Sequence, residues 1–183
     1  MKNKFKFIIF FLSFLATTNL QADEFIFETE EIDIVNNGKT YKASNGKIIT
    51  NDKLTEITGK YFEYDRTTLI LVVEGDVKIF DLSNKTNIEA KKITYFKKEE
   101  KIITVGESTI KTDDKYLIKT KNLVYLKEKM EISSDAPASI NDDVGNSFKV
   151  NKFVYKIPKK VIFIKELPKN NVGKILRRKL REL

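Results

Sequence analysis

Few residue types in this chain could do catalytic chemistry. None of its 183 residues is cysteine or histidine, which excludes thiol nucleophiles, disulfides and the commonest general base and metal ligand. Adjacent acidic residues occur at Glu30-Glu31, Glu99-Glu100 and Asp142-Asp143. They lie in polar stretches, and neither glycosidase spacing nor the alternating pattern of a calcium loop is present. The sequence therefore predicts a protein that is not an enzyme and has no cofactor or bound metal.

Large apolar residues, by contrast, recur with a fixed period. Tyr64, Tyr95, Tyr125 and Tyr155 lie 31, 30 and 30 residues apart. Two positions before each tyrosine is another apolar residue, and one period earlier an isoleucine pair occupies the same two places. These residues are Phe62, Ile93, Leu123 and Phe153, and the earlier pair is Ile32 with Ile34. Residues i and i+2 of a strand share a face, so each pair predicts one buried edge. A period of this kind indicates stacked supersecondary units, here all-β.

A second set of apolar residues and a set of turn signals follow the same repeat. Ile79, Ile110 and Ile140 come later in successive units, and Gly75 and Gly106 predict a turn before the first two. The stretches Asn36-Asn37-Gly38 and Ser44-Asn45-Gly46 also predict turns, because glycine and asparagine tolerate positive φ. Short strands of about five to seven residues between polar turns indicate an all-β sandwich, barrel or jelly roll.

The positive charge of the chain is confined to its two ends. The formal net charge is +8, but residues 23–164 contain 24 basic and 24 acidic side chains. A neutral body argues against a nucleic-acid-binding surface, which would be basic. We therefore expect no nucleic-acid partner.

Residues 1–22 have the form of a secretory signal peptide. Lys2, Lys4 and Lys6 precede an apolar run from 7 to 16, and cleavage is predicted after Ala22. The run is too short for a spanning helix of about 20 residues. Leu20 is large for the position three residues before the cut, so an uncleaved anchor is the alternative. Both alternatives place the body of the protein outside the cytoplasm.

The remaining chain divides into a β-repeat domain, 23–157, and a basic tail, 158–183. In the tail, residues 173–183 predict a short amphipathic helix with four apolar residues at helical spacing. These are Ile175, Leu176, Leu180 and Leu183. The fold class predicted for the whole chain is thus all-β with a short C-terminal basic helix.

The repeat region resembles the OstA-like family of lipopolysaccharide-transport proteins, of the LptA and LptD N-terminal-domain types. The likeness lies in recurring pieces over about residues 25–157. They are Tyr61-Phe62-Glu63-Tyr64-Asp65 with Glu74-Gly75-Asp76-Val77-Lys78-Ile79, 90–95 (AKKITY) with 105–110 (VGESTI), 120–125 (TKNLVY), and Gly145-Asn146-Ser147-Phe148 with Phe153-Val154-Tyr155.

This resemblance implies an open β-jelly roll, or half-pipe, whose apolar interior holds lipid A acyl chains. It also implies that edge strands pair with other lipopolysaccharide-transport proteins or with further copies of the chain, in the periplasm or at the outer membrane. The groove residues that we predict on this basis are Ile32, Ile34, Phe62, Tyr64, Ile79, Ile93, Tyr95, Ile110, Leu123, Tyr125 and Ile140.

A second resemblance is confined to the last 30 residues. Residues 155–178, which include Glu166-Leu167-Pro168-Lys169-Asn170 and Gly173-Lys174-Ile175-Leu176, are similar to the closing motif of adenylate-forming acyl-CoA synthetases. In those enzymes the lysine that matches Lys174 contacts the substrate during adenylation. The chain has no Ser/Thr/Gly-rich phosphate loop, so we expect Lys174 to be inactive.

These patterns and the two resemblances together imply three alternative functions. The first is periplasmic lipopolysaccharide binding, as part of transport to the outer membrane and assembly there. The second is a β-repeat scaffold that pairs edge to edge without lipid. The third is a chimeric fragment that carries the end of an acyl-CoA synthetase.

Overall fold

A computed structural model of the protein describes residues 24–113 and 115–157, which form one antiparallel sheet. The predicted signal peptide, the tail and Lys174 lie outside the described residues. The first six strands are β1 (Phe25–Val35), β2 (Thr40–Thr50), β3 (Thr55–Asp65), β4 (Ile70–Asp81), β5 (Thr86–Phe96) and β6 (Lys101–Lys111), with a 3₁₀ turn at Lys97–Glu99. Six shorter strands follow: β7 (Leu117–Lys121), β8 (Val124–Leu126), β9 (Glu131–Ser134), β10 (Ala138–Asn141), β11 (Ser147–Val150) and β12 (Phe153–Lys156).

The strands follow one another through the sheet in chain order. Strands β1 to β6 pair consecutively, each antiparallel to the next. Beyond β6 each place in the sheet is occupied by two short strands instead of one long strand. Strands β7 and β8 both pair with β6; next to them, β10 pairs with β7 and β9 pairs with β8. The last position holds β11 beside β10 and β12 beside β9. The sheet therefore has nine strand positions, and the predicted all-β open sheet is confirmed.

Strands β1 to β6 are longer than predicted, because several expected turns are bends within a strand. Gly75 and Gly106 have φ values of +82° and +78° and lie inside β4 and β6, where the pairing register shifts by one residue. Asn45 and Gly46 likewise lie inside β2. The turn predictions at these three glycines were wrong. At Gly75 and Gly106 a bulge bends the strand and increases its twist, whereas β2 keeps its register with both neighbours past Gly46. The turn predicted at Asn36-Asn37-Gly38 connects β1 to β2, as expected.

The thirty-residue period corresponds to one hairpin. Strands β3, β5 and β7 begin at Thr55, Thr86 and Leu117, so two strands and two turns make one repeat of 31 residues. Each hairpin contributes the same set of inward side chains. This is why the tyrosines recur on every second strand position.

The bends fold the sheet into two layers around one core. We call the halves of the strands that carry Tyr64, Tyr95 and Tyr125 the aromatic layer, and the halves that carry Ile57, Ile88 and their neighbours the isoleucine layer. In β3 the buried residues are Thr55 and Ile57 before the bend and Phe62 and Tyr64 after it, so the inward positions change from odd to even numbers. The bend lets both halves of the strand turn the same face to the interior, which produces a half-pipe rather than a flat sheet. Within the described residues there is no helix with the length and hydropathy needed to cross a bilayer.

Candidate functional site

The interior of the aromatic layer is one continuous row of apolar side chains in register. Neighbours along the row are directly opposite each other on adjacent strands, where cross-strand pairs stabilise a sheet. The row runs Ile34, Tyr41, Tyr64, Leu71, Tyr95, Ile102, Tyr125, Ile132 and Tyr155. It crosses all nine strand positions, and its members from Tyr64 to Ile132 are at most 1% exposed.

The isoleucine layer contains a second row of the same length. It runs Phe27, Ile48, Ile57, Ile79, Ile88, Ile110, Ile118, Ile140 and Phe148. Its six isoleucines from Ile48 to Ile118 are almost completely buried. Full burial of one such side chain contributes about 1.5–3 kcal/mol to folding. The two rows face each other and make the interior apolar along the whole sheet.

Most of the predicted groove residues share this interior. Eight of them are buried: Phe62, Tyr64, Ile79, Ile93, Tyr95, Ile110, Leu123 and Tyr125. Ile140 is half-buried near the C-terminal end. The burial predicted for Ile32 and Ile34 was wrong, since they are 45% and 59% exposed. They lie on the inner face beside Ala43 and Tyr41, but β1 is an edge strand and leaves them uncovered. Contact with lipid stays a prediction for all eleven residues.

Aromatic rings join the two layers at their N-terminal end. The Phe25 ring contacts the rings of Tyr64 and Tyr95 edge-on, with centroids 4.9 and 5.7 Å apart. Phe27 packs against Tyr41 at 5.7 Å in the same way. Edge-to-face pairs of this kind are favoured by the ring quadrupole. The start of β1 thus closes one long side of the half-pipe.

Polar side chains complete this closure further along the same side. The carboxylate of Asp81, at the end of β4, accepts a hydrogen bond from the Tyr125 hydroxyl at 2.7 Å. Glu100 accepts one from the Tyr95 hydroxyl at 2.5 Å. The Lys127 ammonium lies 3.5 Å from Glu100 and 3.9 Å from Asp81, with a side chain only 10% exposed. We call Asp81, Tyr95, Glu100, Tyr125 and Lys127 the polar seam.

The polar seam explains why Tyr95 and Tyr125 are tyrosines. Phenylalanine would fill nearly the same volume, but only a hydroxyl can donate to the carboxylates at the closing side. Lys127 also donates a hydrogen bond to the Thr55 hydroxyl at 2.5 Å, and Asn84 donates to the Tyr125 hydroxyl at 2.7 Å. Because Thr55 and Asp81 belong to the isoleucine layer, these bonds fasten it to the aromatic layer.

The electrostatics of the polar seam favour its charged carboxylates. Burial alone would raise the pKa of Asp81, but hydrogen bonds from Ser83 and Tyr125 and the charge of Lys127 outweigh it and hold the pKa below its ordinary value. For Glu100 burial is again opposed, by hydrogen bonds from Lys97 and Tyr95, and the pKa is also lowered. Burial and the adjacent carboxylates raise the pKa of the Tyr95 and Tyr125 phenols. The tyrosines are therefore neutral donors to ionised carboxylates.

The interior is exposed at its two ends. At the N-terminal end Ile32 and Ile34 are accessible, and at the C-terminal end Phe148 on β11 is 53% exposed beside half-buried Ile140. Within residues 24–113 and 115–157, no group of acidic side chains is arranged to hold a metal ion. The inner side chains that are accessible at both ends are apolar.

Sequence analysis found five of the nine residues in the aromatic-layer row and three of the nine in the isoleucine-layer row. In the polar seam it missed Asp81, Glu100 and Lys127 and every hydrogen bond. The missed residues on the other strand positions have the same spacing, as with Ile57, Ile88 and Ile118 at intervals of 31 and 30. That signal was available in the sequence. The polar seam left no such signal, because Asp81 and Tyr125 are 44 residues apart and meet only after the sheet folds over.

Comparison with solved structures identifies the architecture. The chain is similar to LptH from Pseudomonas aeruginosa, described as the LptA homologous periplasmic component of the conserved lipopolysaccharide transport device. The TM-score is 0.54 at 9% sequence identity, over 69% of this chain and 93% of LptH. At this identity the likeness defines the class of fold, the folded β half-pipe, and nothing finer. No protein-family model matches the sequence.

Comparison with curated proteins gives a different and much shorter match. Long-chain-fatty-acid–CoA ligases of Salmonella typhimurium and Salmonella typhi are each 71% identical to this chain over 28 residues. The match covers 15% of this chain and only 5% of each ligase. It agrees with the C-terminal resemblance to acyl-CoA synthetases. The chain spans so little of the ligases that their activity does not carry over.

Proposed function

We propose that this protein binds lipopolysaccharide through the acyl chains of lipid A and takes part in its transport to the outer membrane. One observation supports the proposal above the others: a continuous apolar interior crosses nine strand positions and ends in exposed Ile32, Ile34 and Phe148. Each acyl methylene transferred from water to such an interior contributes about 0.8 kcal/mol. The fold shared with LptH supports the same assignment.

Acyl chains enter this interior at its ends. The middle is filled by its own side chains and closed along one side by the polar seam, whereas Ile32 and Ile34 are already accessible. We assign no catalytic step to the protein. In this proposal the predicted signal peptide delivers it to the periplasm, and an energy-coupled partner moves the lipid.

A titration tests the proposal on the chain as cells process it, expressed from its own start codon. Lipopolysaccharide is added with a single-chain detergent as the control ligand, and saturable binding is measured. The variants Ile34→Asn and Phe148→Asn place an amide at each open end. Val105→Asn and Val154→Asn are matched controls, since both valines are exposed on the outer face.

We expect the two inner variants to bind at least about fivefold more weakly, because each adds a polar group to an apolar surface. The outer variants should bind like the unsubstituted chain. The groove would be refuted if the inner and outer variants weakened lipopolysaccharide binding equally. It would also be refuted if a protein with intact β-sheet circular dichroism showed no saturable binding. A further version ending at Ile157 shows whether the tail contributes.

Edge-to-edge association is a second candidate function, and it rests on a different observation. Strand β1 carries four acidic residues and no basic one, at Glu28, Glu30, Glu31 and Asp33. The opposite end of the sheet, 147–156, carries Lys149, Lys152 and Lys156 and no acid. Edge strands of complementary charge favour head-to-tail pairing with a further copy or with another protein of the same fold.

A further inference from the structure

A basic depression on the outer face of the sheet has no part in the groove described above. Its volume is about 760 Å³, and strands β6, β7, β10 and β11 line it. Three lysines face it, Lys119 and Lys121 on β7 and Lys149 on β11, together with one acidic residue, Glu107. Three lysines and one glutamate leave two positive charges in excess among the lining residues.

The strand register brings the lysines around one centre. Ser139 lies directly opposite Lys119 on one side and Lys149 on the other, and Thr109 is the other neighbour of Lys119. Adjacent strands are about 4.8 Å apart, so the α-carbons of Lys119 and Lys149 are about 10 Å apart across Ser139. Lysine has a flexible four-carbon stem, which lets both ammonium groups reach that centre. The hydroxyls of Thr109 and Ser139 are neutral hydrogen-bond donors in the same row.

Three lysines elsewhere on the outer face each form an ion pair with an acid on the neighbouring strand. The pairs Lys42–Glu63, Lys78–Glu89 and Lys92–Glu74 have N–O distances of 3.8, 3.8 and 2.7 Å. Within residues 24–113 and 115–157, none of the three lysines at the depression forms an ion pair. Lys121 is opposite Glu107 in the register, yet this pair also fails to form one. The lysines of the depression therefore lack the ion pairs that Lys42, Lys78 and Lys92 form.

We infer that this depression binds a phosphate-type anion, either free or as the phosphorylated headgroup of an amphiphile. Lysine ammonium groups are common phosphate ligands, and three lysines line this one concave surface, which has room for a phosphorylated sugar. The headgroup form rests on the lipid-binding function proposed above, whereas binding of the free anion does not. An acidic edge strand from a second copy fits less well. Added beside β11 it would meet Lys149 alone, since Lys119 and Lys121 lie two strands further in.

The first test uses inorganic phosphate and the full chain as cells process it, at pH 7 and low salt. Backbone amide chemical shifts are followed by NMR. We expect saturable shifts confined to the lining residues. The triple variant Lys119→Gln, Lys121→Gln, Lys149→Gln should bind at least about tenfold more weakly, and 0.5 M salt should abolish the difference.

The matched control is Lys42→Gln, Lys78→Gln, Lys92→Gln, which removes the same charge from ion-paired positions and should stay within about twofold of the unsubstituted chain. The arginine triple variant at 119, 121 and 149 should retain binding, because it keeps the charges. Shifts that do not saturate, or equal weakening by both glutamine triples, would overturn the inference. The inference would also be overturned if the glutamine triple variant at 119, 121 and 149 lost self-association but kept its phosphate binding.

The second test separates this inference from the proposed function. Lipopolysaccharide and its enzymatically dephosphorylated form are titrated into the same proteins. Phosphate binding without lipopolysaccharide binding would refute the groove and leave the anion site standing. The opposite result has two parts: both lipid forms bind tightly, to the glutamine triple variant as well, and no protein binds phosphate. That result would refute the anion site and leave the groove. With both functions present, dephosphorylation and the glutamine triple should weaken lipid binding by the same factor.

Discussion

At the scale of single residues, a hydroxyl group distinguishes this core from an ordinary aliphatic one. Tyr95 and Tyr125 are completely buried, and each hydroxyl donates to a carboxylate at the closing side of the half-pipe. Lys127 balances both carboxylates in a site from which water is largely excluded. Such clusters are stabilising only when every member is satisfied, so each member should be sensitive to substitution.

Replacing Tyr125 by phenylalanine should destabilise the protein by about 1–2 kcal/mol, because buried Asp81 loses a hydrogen-bond donor. Urea unfolding followed by circular dichroism measures the change in the free energy of unfolding. Tyr61→Phe is the matched control, since the Tyr61 side chain is 66% exposed on the outer face. If the two variants are equally stable, the hydroxyl of Tyr125 does not fasten the layers.

The polar seam also predicts how stability depends on pH. The pKa values of Asp81 and Glu100 are lowered in the folded protein, so their contribution is complete above the ordinary carboxyl pKa of about 4 and is lost as pH falls through the folded value. The free energy of unfolding should therefore fall steeply below about pH 4. In Asp81→Asn that fall should be shallower, although the variant is less stable at pH 7. Urea midpoints at pH 7, 5, 4 and 3 give both slopes, and parallel slopes would contradict the assignment to Asp81.

At the scale of elements, glycines decide where the long strands bend. Gly106 has φ +78°, and a β-carbon added there would meet no atom within 4 Å, whereas at Gly46 an added β-carbon would lie 2.3 Å from the Glu28 carbonyl oxygen. The two glycines therefore serve different purposes. Gly106 permits the backbone conformation of a bulge, and Gly46 permits close approach of β1.

Alanine substitutions should separate these two roles. Gly106→Ala should cost about 1 kcal/mol, because only the left-handed backbone conformation is penalised. Gly46→Ala should cost clearly more and should detach β1, seen as faster amide exchange over residues 25–35. Gly38→Ala, in the β1–β2 turn at φ +81° with open space around it, is the control for φ alone and should match Gly106→Ala. Equal effects of all three would show that the close approach of β1 is unimportant.

The difference between what sequence predicted and what it missed has a physical cause. Alternation within a strand is a local property, so Phe62 with Tyr64 and Ile93 with Tyr95 were correctly expected to share a buried face. A glycine with positive φ has the same sequence signature in a turn and in a bulge, so the bends at Gly75 and Gly106 were predicted as turns. The contact of Asp81 with Tyr125 depends on those bends and could not be predicted before them.

At the scale of the whole molecule, the sheet has two unlike ends and an interior that runs between them. The acidic β1 edge and the basic edge at 147–156 are far apart in the sheet order, so they cannot neutralise each other within one copy. Each end also exposes inward apolar residues, Ile32 and Ile34 at one and Phe148 at the other. Pairing of unlike ends would join both the backbone edges and the apolar interiors of two molecules, which is what passage of a lipid between them requires.

Head-to-tail pairing through charge should therefore depend on both ionic strength and the sign of each edge. Sedimentation velocity of the chain as cells process it should show association at about 20 mM salt that weakens strongly at 0.5 M, because exposed charges are screened over about 4 Å there. The variant Glu28→Lys, Glu30→Lys should prevent association by cancelling the negative charge of β1, and Lys152→Glu, Lys156→Glu should do so by reversing the positive charge of the opposite end. Neither variant should pair with itself, even in a mixture of the two. The mixture should instead form a heterodimer, in which the acidic β1 of one variant pairs with the basic end of the other. Association that persists in both variants alone, or that is insensitive to salt, would show that the edges do not pair in this way.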